Sequence, residues 1–273
     1  MLILLFICIL LYMLSSAAYS VYLAIQRNNV QLIGCSLLAA GFIGQTAAIV
    51  WRFAQTGQMP VNNLHETLLI VAWAIVAVFL VLRFQFNLKI LGVYAAPLAT
   101  FVLLAATQFP AEPLQPQNLL KGSWLIVHII TIFLGDAAFV LAAGVGMLYL
   151  LQERAIKTKS RGFFFRRLPS LDLLDSTGYA CIVSGFTMLT IGLVSGMVYA
   201  KTIWGHFWSW DPKEVWSAVT WIFYAILLHE RLAVGWRGRR AAVMAIVGLA
   251  VLLFTFFGVN FLLKGHHGQF TQY

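Results

Sequence analysis

Charge is what this sequence has least of. Only 10% of its 273 residues are Asp, Glu, Lys or Arg, against roughly a quarter in an ordinary soluble domain. With 61% of the residues hydrophobic, the chain has too little polar surface to cover a globule in water. A soluble enzyme is excluded, and the solvent is a bilayer. No long polar stretch interrupts residues 1–273, which leaves room for a single membrane domain and none for a soluble one. Cysteine is scarce as well. Cys8, Cys35 and Cys181 lie in apolar runs without a CxxC pair, so they read as small buried hydrophobes and not as a redox or metal site. The lack of a CxxCH excludes a covalently attached c-type haem on this chain.

What is present instead is a series of apolar runs. A membrane span takes about 20 mostly apolar residues, and eight segments qualify: 2–25, 30–51, 64–82, 90–108, 123–151, 177–199, 214–232 and 241–262. The first lacks a basic start and a clean cleavage site, so it reads as a span and not as a signal peptide. The expected fold is all-α, a polytopic membrane bundle of about eight helices. Thirteen of the 18 Lys and Arg residues fall in one set of alternate connections and five in the other. The richer set belongs in the cytoplasm, which puts both termini outside, together with the loops near 52–63, 109–122 and 200–213. Orientation thus accounts for the net charge of +9 with no need for nucleic acid.

One outer loop is unusual. Trp204, Trp208, Trp210, Trp216 and Trp221 place five of the nine tryptophans within 18 residues. An interfacial aromatic belt places Trp at the headgroup level, but five in one stretch exceed that need. Asp211-Pro212-Lys213-Glu214 has a local explanation as a helix start, with Asp at the N-cap, Pro at the first helical position and Glu at the third. The indole rings are left as a flat apolar surface on which a large planar ligand would stack. A porphyrin fits, because its faces take aromatic neighbours and its iron takes imidazole.

Two histidines lie at that level. His128 is near the outer end of the fifth span and His267 just past the outer end of the eighth, so together they would give bis-His ligation; a lone helical histidine is otherwise a packed, hydrogen-bonded residue. His229 sits about 22 Å further in at 1.5 Å per residue, beside Glu230 and Arg231. An intramembrane ionisable group there is a functional candidate, and an axial partner for it must come from elsewhere, such as another subunit. His65, His206 and His266 are further outer-side histidines. Asp136, eight residues below His128, shares its helical face and has no assigned role. Lys201, Lys213 and Arg52 are the cations placed to meet haem propionates.

These residues also form recognisable motifs. WGHFWSWDPKEVW, Trp204 to Trp216, resembles the tryptophan-rich WWD signature of haem-handling membrane proteins, in the form found in the CcsA/ResC family of System II cytochrome c biogenesis. Further likenesses run in order along the chain. Asn63-Leu64-His65-Glu66-Thr67 is similar to the family's NLYES. Trp124 to His128 is similar to its first external histidine segment. Leu168-Pro169-Ser170-Leu171-Asp172 with Leu174-Asp175 resembles its inner-loop LPSLxxLD. Gly185-Phe186 and Thr190-Ile191-Gly192 resemble the span that follows. Leu228-His229 with Trp236-Arg237-Gly238 resembles the segment carrying the transmembrane histidine, and Gly258-Val259-Asn260 through His267 the second external one.

The resemblance implies a job. Members of this family, with a CcsB/ResB partner, carry haem b, bound non-covalently, across the membrane and present it to apocytochrome c for attachment at CxxCH, as components of a cytochrome c synthase. His128 and His267 match the external axial ligands. His229 matches the transmembrane ligand, whose opposite comes from the partner. Trp204, Trp208, Trp210, Asp211 and Trp216 match the WWD segment. The expected setting is a bacterial inner membrane, or a thylakoid membrane, with the WWD loop on the external side. Three departures stand out: His206 and His65 replace non-histidines, and His266-His267 is a doublet where the family has one histidine; the motif aligns best on His267, with His266 as the alternative ligand. The alternative reading is a HemX-like haem-binding accessory protein without synthase activity.

Overall fold

A computed structural model describes residues 2–110, 122–159, 162–163 and 165–262. All regular structure among them is helical: α1 (Leu2–Ile25), α2 (Asn28–Thr56), α3 (Leu64–Phe86), α4 (Gly92–Ala106), α5 (Ser123–Lys157), α6 (Leu171–Trp204), α7 (Pro212–His229), α8 (Arg239–Leu253) and the short α9 (Val259–Leu262). A 3-10 turn, Lys89–Leu91, leads into α4, and π-helical turns follow α7 (Glu230–Val234) and α8 (Phe254–Gly258). Eight of the helical segments are long and apolar enough to cross a membrane, the number expected from hydropathy.

The boundaries differ in an instructive way. Helix α5 has 35 residues, about 52 Å at 1.5 Å per residue, well beyond a hydrocarbon core of about 30 Å. Hydropathy marks only the part that needs lipid, while the backbone pattern carries on through Arg154 and Lys157. Helix α6 begins at Leu171 and not near 177, because the Ser170 side chain accepts from the Leu173 N–H and starts the helix upstream of the apolar run. The last segment is not one helix: the π turn at Phe254–Gly258 separates α8 from α9.

Helix α1 packs on α2 and α4, α3 joins α4 to α5, and α5 lies along α6 and against α8. The α5–α6 contact depends on small residues. A Cβ on Gly135 would stand 3.0 Å from the Gly185 carbonyl oxygen, so the two backbones approach as closely as glycine permits. Phe79, Phe139, Leu141, Leu174 and Tyr224 are fully buried in a core that runs from α1 to α8. Large side chains such as Phe6, Ile43, Phe84 and Phe101 are exposed, as lipid-facing positions are. Cys8 and Cys181 are buried and Cys35 half-buried, all as free thiols.

Candidate functional site

Between the upper ends of α5, α6 and α7 and the π turn after α8 lies a cavity of about 420 Å³, within the range of small-molecule sites. Each helix gives it one periodic face. Helix α5 contributes Leu125, His128, Ile129, Ile132, Phe133 and Asp136; α6 contributes Leu189, Leu193, Gly196, Ala200 and Trp204; α7 contributes Lys213, Ser217, Thr220 and Trp221. Steps of three and four residues put such positions on one side of a helix. Phe256 and Thr255 enter from the π turn, and Phe207 and Trp208 from the loop between α6 and α7. A π turn shifts side-chain direction within a helix and recurs at functional sites. Here Thr255 reaches Thr220, with their hydroxyls 2.8 Å apart.

His128 is held on this wall in a defined orientation. Its Nδ1 lies 2.7 Å from the Gly192 carbonyl oxygen, which can only accept, so Nδ1 donates. In the neutral imidazole the lone pair is then on Nε2. Gly196 makes room for the ring: a Cβ there would stand 2.6 Å from His128 Nδ1. A tautomer fixed by a backbone carbonyl is the arrangement found behind metal-ligating histidines. With Trp204, Trp208, Trp221, Phe133 and Phe256 around it, the wall suits a flat apolar group with a metal at its centre.

The loop begins where Gly205, at φ 81°, ends α6 by donating its N–H to the Lys201 carbonyl. It ends at Asp211, where the expected capping box is present. The Asp211 carboxylate accepts from the Lys213 N–H at 2.9 Å, and Glu214 accepts from the N–H groups of Ser209 and Asp211 and from the Ser209 hydroxyl. Of the residues named from sequence, His128, Trp204, Trp208, Trp221, Lys213 and Asp136 share the cavity wall. Trp210, in the left-handed region at φ 60° and 78% exposed, stands edge-on to Trp208 away from it. Trp216 packs on Phe254, 4.5 Å between ring centroids, and Asp211 is buried as the cap. His267 and its neighbour His266 lie outside the described residues.

The remaining candidates have separate placements. His229 is the last residue of α7 and is exposed on the bundle surface, two turns past Trp221. His206 is exposed in the loop. His65 is buried, its Nδ1 2.7 Å from the Ala106 carbonyl oxygen. Arg52 forms an ion pair with the buried Glu66 at 3.1 Å, while Glu66 also accepts from Asn62. Lys201 donates from Nζ to the Gly205 carbonyl and stands over the Phe207 ring. At the end of the bundle away from the cavity, Arg231 pairs not with its neighbour Glu230 but with Asp175, whose carboxylate also accepts from the Gly238 N–H at 2.7 Å.

Sequence reasoning gave no site role to Phe133, Phe256 or the Thr220–Thr255 pair, and Asp136 had no assignment. The α5 and α7 members could have been found by extending the His128 and Lys213 faces in helical steps. Phe256 and Thr255 could not, because the π turn breaks that register.

An all-helical membrane bundle with an aromatic cavity that holds an oriented imidazole defines the class. Comparison with known proteins narrows it. Residues 61–267 match the family described as Cytochrome C assembly protein. The chain is 36% identical over 261 residues to the Cytochrome c biogenesis protein CcsA of Synechococcus sp. (strain CC9902), covering 85% of this chain and 84% of that one. To the CcsA of Guillardia theta it is 33% identical over 261 residues, covering 88% and 86%. The chain belongs to the cytochrome c assembly protein family. Among solved structures, Cytochrome c Heme Lyase CcmF aligns over 98% of this chain with a TM-score of 0.66 at 14% identity. That likeness is one of fold, and the chain spans 47% of the CcmF chain.

Proposed function

We propose that this protein is a CcsA-type cytochrome c biogenesis protein that receives haem b in the cavity on His128 and presents it on the external side of the membrane. The observation that carries this reading is the aromatic cavity with one imidazole whose Nδ1 is committed to the Gly192 carbonyl. Haem is cargo here, delivered to the CxxCH of an apocytochrome c, where each thiol S–H adds across a vinyl C=C without a net change of oxidation state. No nucleophile is required of this chain; its contribution is positioning. His128 and His267 serve as the axial pair. Trp204, Trp208 and Trp221 cover the porphyrin faces, while Trp210 and Trp216 brace the loop. Asp211 fixes the turn that aims it.

His229 serves an inner haem site. Its exposed position at the end of α7 supports a second imidazole from outside the chain, supplied by a CcsB/ResB-type partner. The membrane is a bacterial plasma membrane or a thylakoid, both termini lie outside, and the distribution of cations supports that orientation.

The test is the haem spectrum of the protein purified with its partner. A low-spin, b-type spectrum is expected, and it should vanish in a His128→Ala, His267→Ala double variant. Retention of the same haem content and spectrum would sink the assignment, and loss on His266→Ala alone would move the second ligand by one residue. A reporter at Tyr273 active only in the cytoplasm would invert the topology. His229→Ala should abolish cytochrome maturation with partial rescue by imidazole; maturation at the normal rate would remove the entry role, and normal cytochromes after deletion of the gene would favour the accessory reading.

A further inference from the structure

A tetrapyrrole with a coordinating metal at its centre still carries carboxylates on its rim, and a carboxylate entering an apolar, aromatic cavity needs a cation. Among the described residues on the cavity wall the Lys and Arg residues reduce to Lys213. Among the described residues, the other cations at this level, Arg52 and Lys201, do not line the cavity: Arg52 pairs with Glu66 at 3.1 Å, and Lys201 donates to the Gly205 carbonyl at 2.6 Å. Lys213 is the second residue of α7, so the positive end of the helix dipole adds to its charge.

The acidic side of the wall sorts in the same way. Glu214 is consumed by the loop, its two oxygens taking three donors from Ser209 and Asp211. Asp136 is different. It lies on the His128 face of α5, eight residues further in, about 12 Å along the axis, and lines the same cavity as Lys213 within electrostatic reach of it. The cavity therefore has a metal-binding imidazole toward one end and an ammonium opposed by a carboxylate elsewhere on its wall.

We propose that Lys213 receives a rim carboxylate of the cargo and that Asp136, as the competing anion, sets how tightly it does so. This rests on the haem-receiving reading above and adds a direction to it. Holding the carboxylate edge at Lys213 fixes how the ring is turned within the cavity, so the pair chooses which edge lies away from Lys213. Asp136 keeps the ammonium compensated before cargo arrives, and it repels a cargo carboxylate that comes to the same ammonium. Removing either residue thus has opposite effects on a carboxylate-bearing cargo and little on a neutral one. Lys213 and Asp136 act as positioning residues.

The experiment is a Soret-band titration of the protein purified with its partner, using haem b and haem dimethyl ester as the two probes. The wild type should bind haem b about tenfold more tightly than the ester, the scale of one charge-assisted contact. Lys213→Met should remove that preference by weakening haem b and leaving the ester unchanged, and Lys213→Arg should retain it. Asp136→Asn should widen the preference. Equal preference in wild type and Lys213→Met, or a preference narrowed by Asp136→Asn, overturns the proposal. His128→Ala is the control for the reading beneath it: if that variant binds both probes as the wild type does, the cargo is not in this cavity and the haem-receiving reading fails, whatever Lys213 does. If Lys213→Met does not fold, the opposite-sign prediction for Asp136→Asn still decides.

Discussion

The two ends of α5, α6 and α7 treat their charged groups in opposite ways. At the end carrying Arg231, Asp175 takes both terminal guanidinium nitrogens of that residue, at 3.0 and 2.6 Å, and the Gly238 N–H at 2.7 Å. The Arg231 guanidinium also lies over the Tyr179 ring, and the space left between these groups is about 20 Å³, room for a single water at most. At the opposite end His128, Asp136 and Lys213 line about 420 Å³ of aromatic-walled cavity. Polar groups that satisfy one another close a junction; polar groups set around an open apolar volume describe a binding site. The same helices thus make a clasp at one end and a receptacle at the other.

The comparison can be broken by substitution. The largest effect on stability belongs to the clasp. Asp175→Ala strands the Arg231 guanidinium and the Gly238 N–H, and should lower stability by about 2–3 kcal/mol, read as a fall in melting temperature in detergent with haem affinity unchanged in the folded fraction. An Asp175→Asn, Arg231→Met double variant should lose less than the sum of its two single changes. At the receptacle the signs exchange. His128→Ala should lower haem affinity by at least about 100-fold and leave the melting temperature of the haem-free protein within a degree or two. If both variants moved both readouts alike, the two ends would not be functionally distinct.

Smaller effects sharpen the picture. Gly196→Ala drives a Cβ to 2.6 Å from His128 Nδ1, so the ring must leave the Gly192 carbonyl. About a tenfold loss of haem affinity, the scale of losing a ligand's orienting partner, is expected from a titration. Trp208→Ala removes a ring on the cavity wall and should cost about 1 kcal/mol, roughly fivefold in affinity. Trp210→Ala, which removes a ring 78% exposed and off the wall, should change affinity by less than about twofold on the same scale. A Trp210 effect as large as that of Trp208 would mean the loop closes further over its cargo than it does here.

Much of this was legible in the order of residues. Hydropathy counts the eight spans because burying apolar side chains in lipid needs only length and composition. The Asp211 cap, the Asn63 cap of α3 and the glycine end of α6 are equally local, since each depends on a backbone group within a few residues. His128, Trp204 and Trp208 were picked out because a histidine at the level of a tryptophan-rich loop is a combination that hydropathy alone does not explain.

What the linear order could not decide is which of the five tryptophans turn inward. Trp208 and Trp210 are two residues apart, and only the left-handed backbone at Trp210 separates the wall residue from the exposed one. Nor could it tell that Arg231 reaches across 56 residues to Asp175 and not to adjacent Glu230, or that Asp136 and Lys213, on different helices, face one cavity. Those facts depend on how α5, α6, α7 and α8 are turned about their own axes. That rotation is set by the close approach of Gly135 to Gly185 and by the π turn before α9, where contact between distant segments, and no local preference, fixes the direction of each side chain.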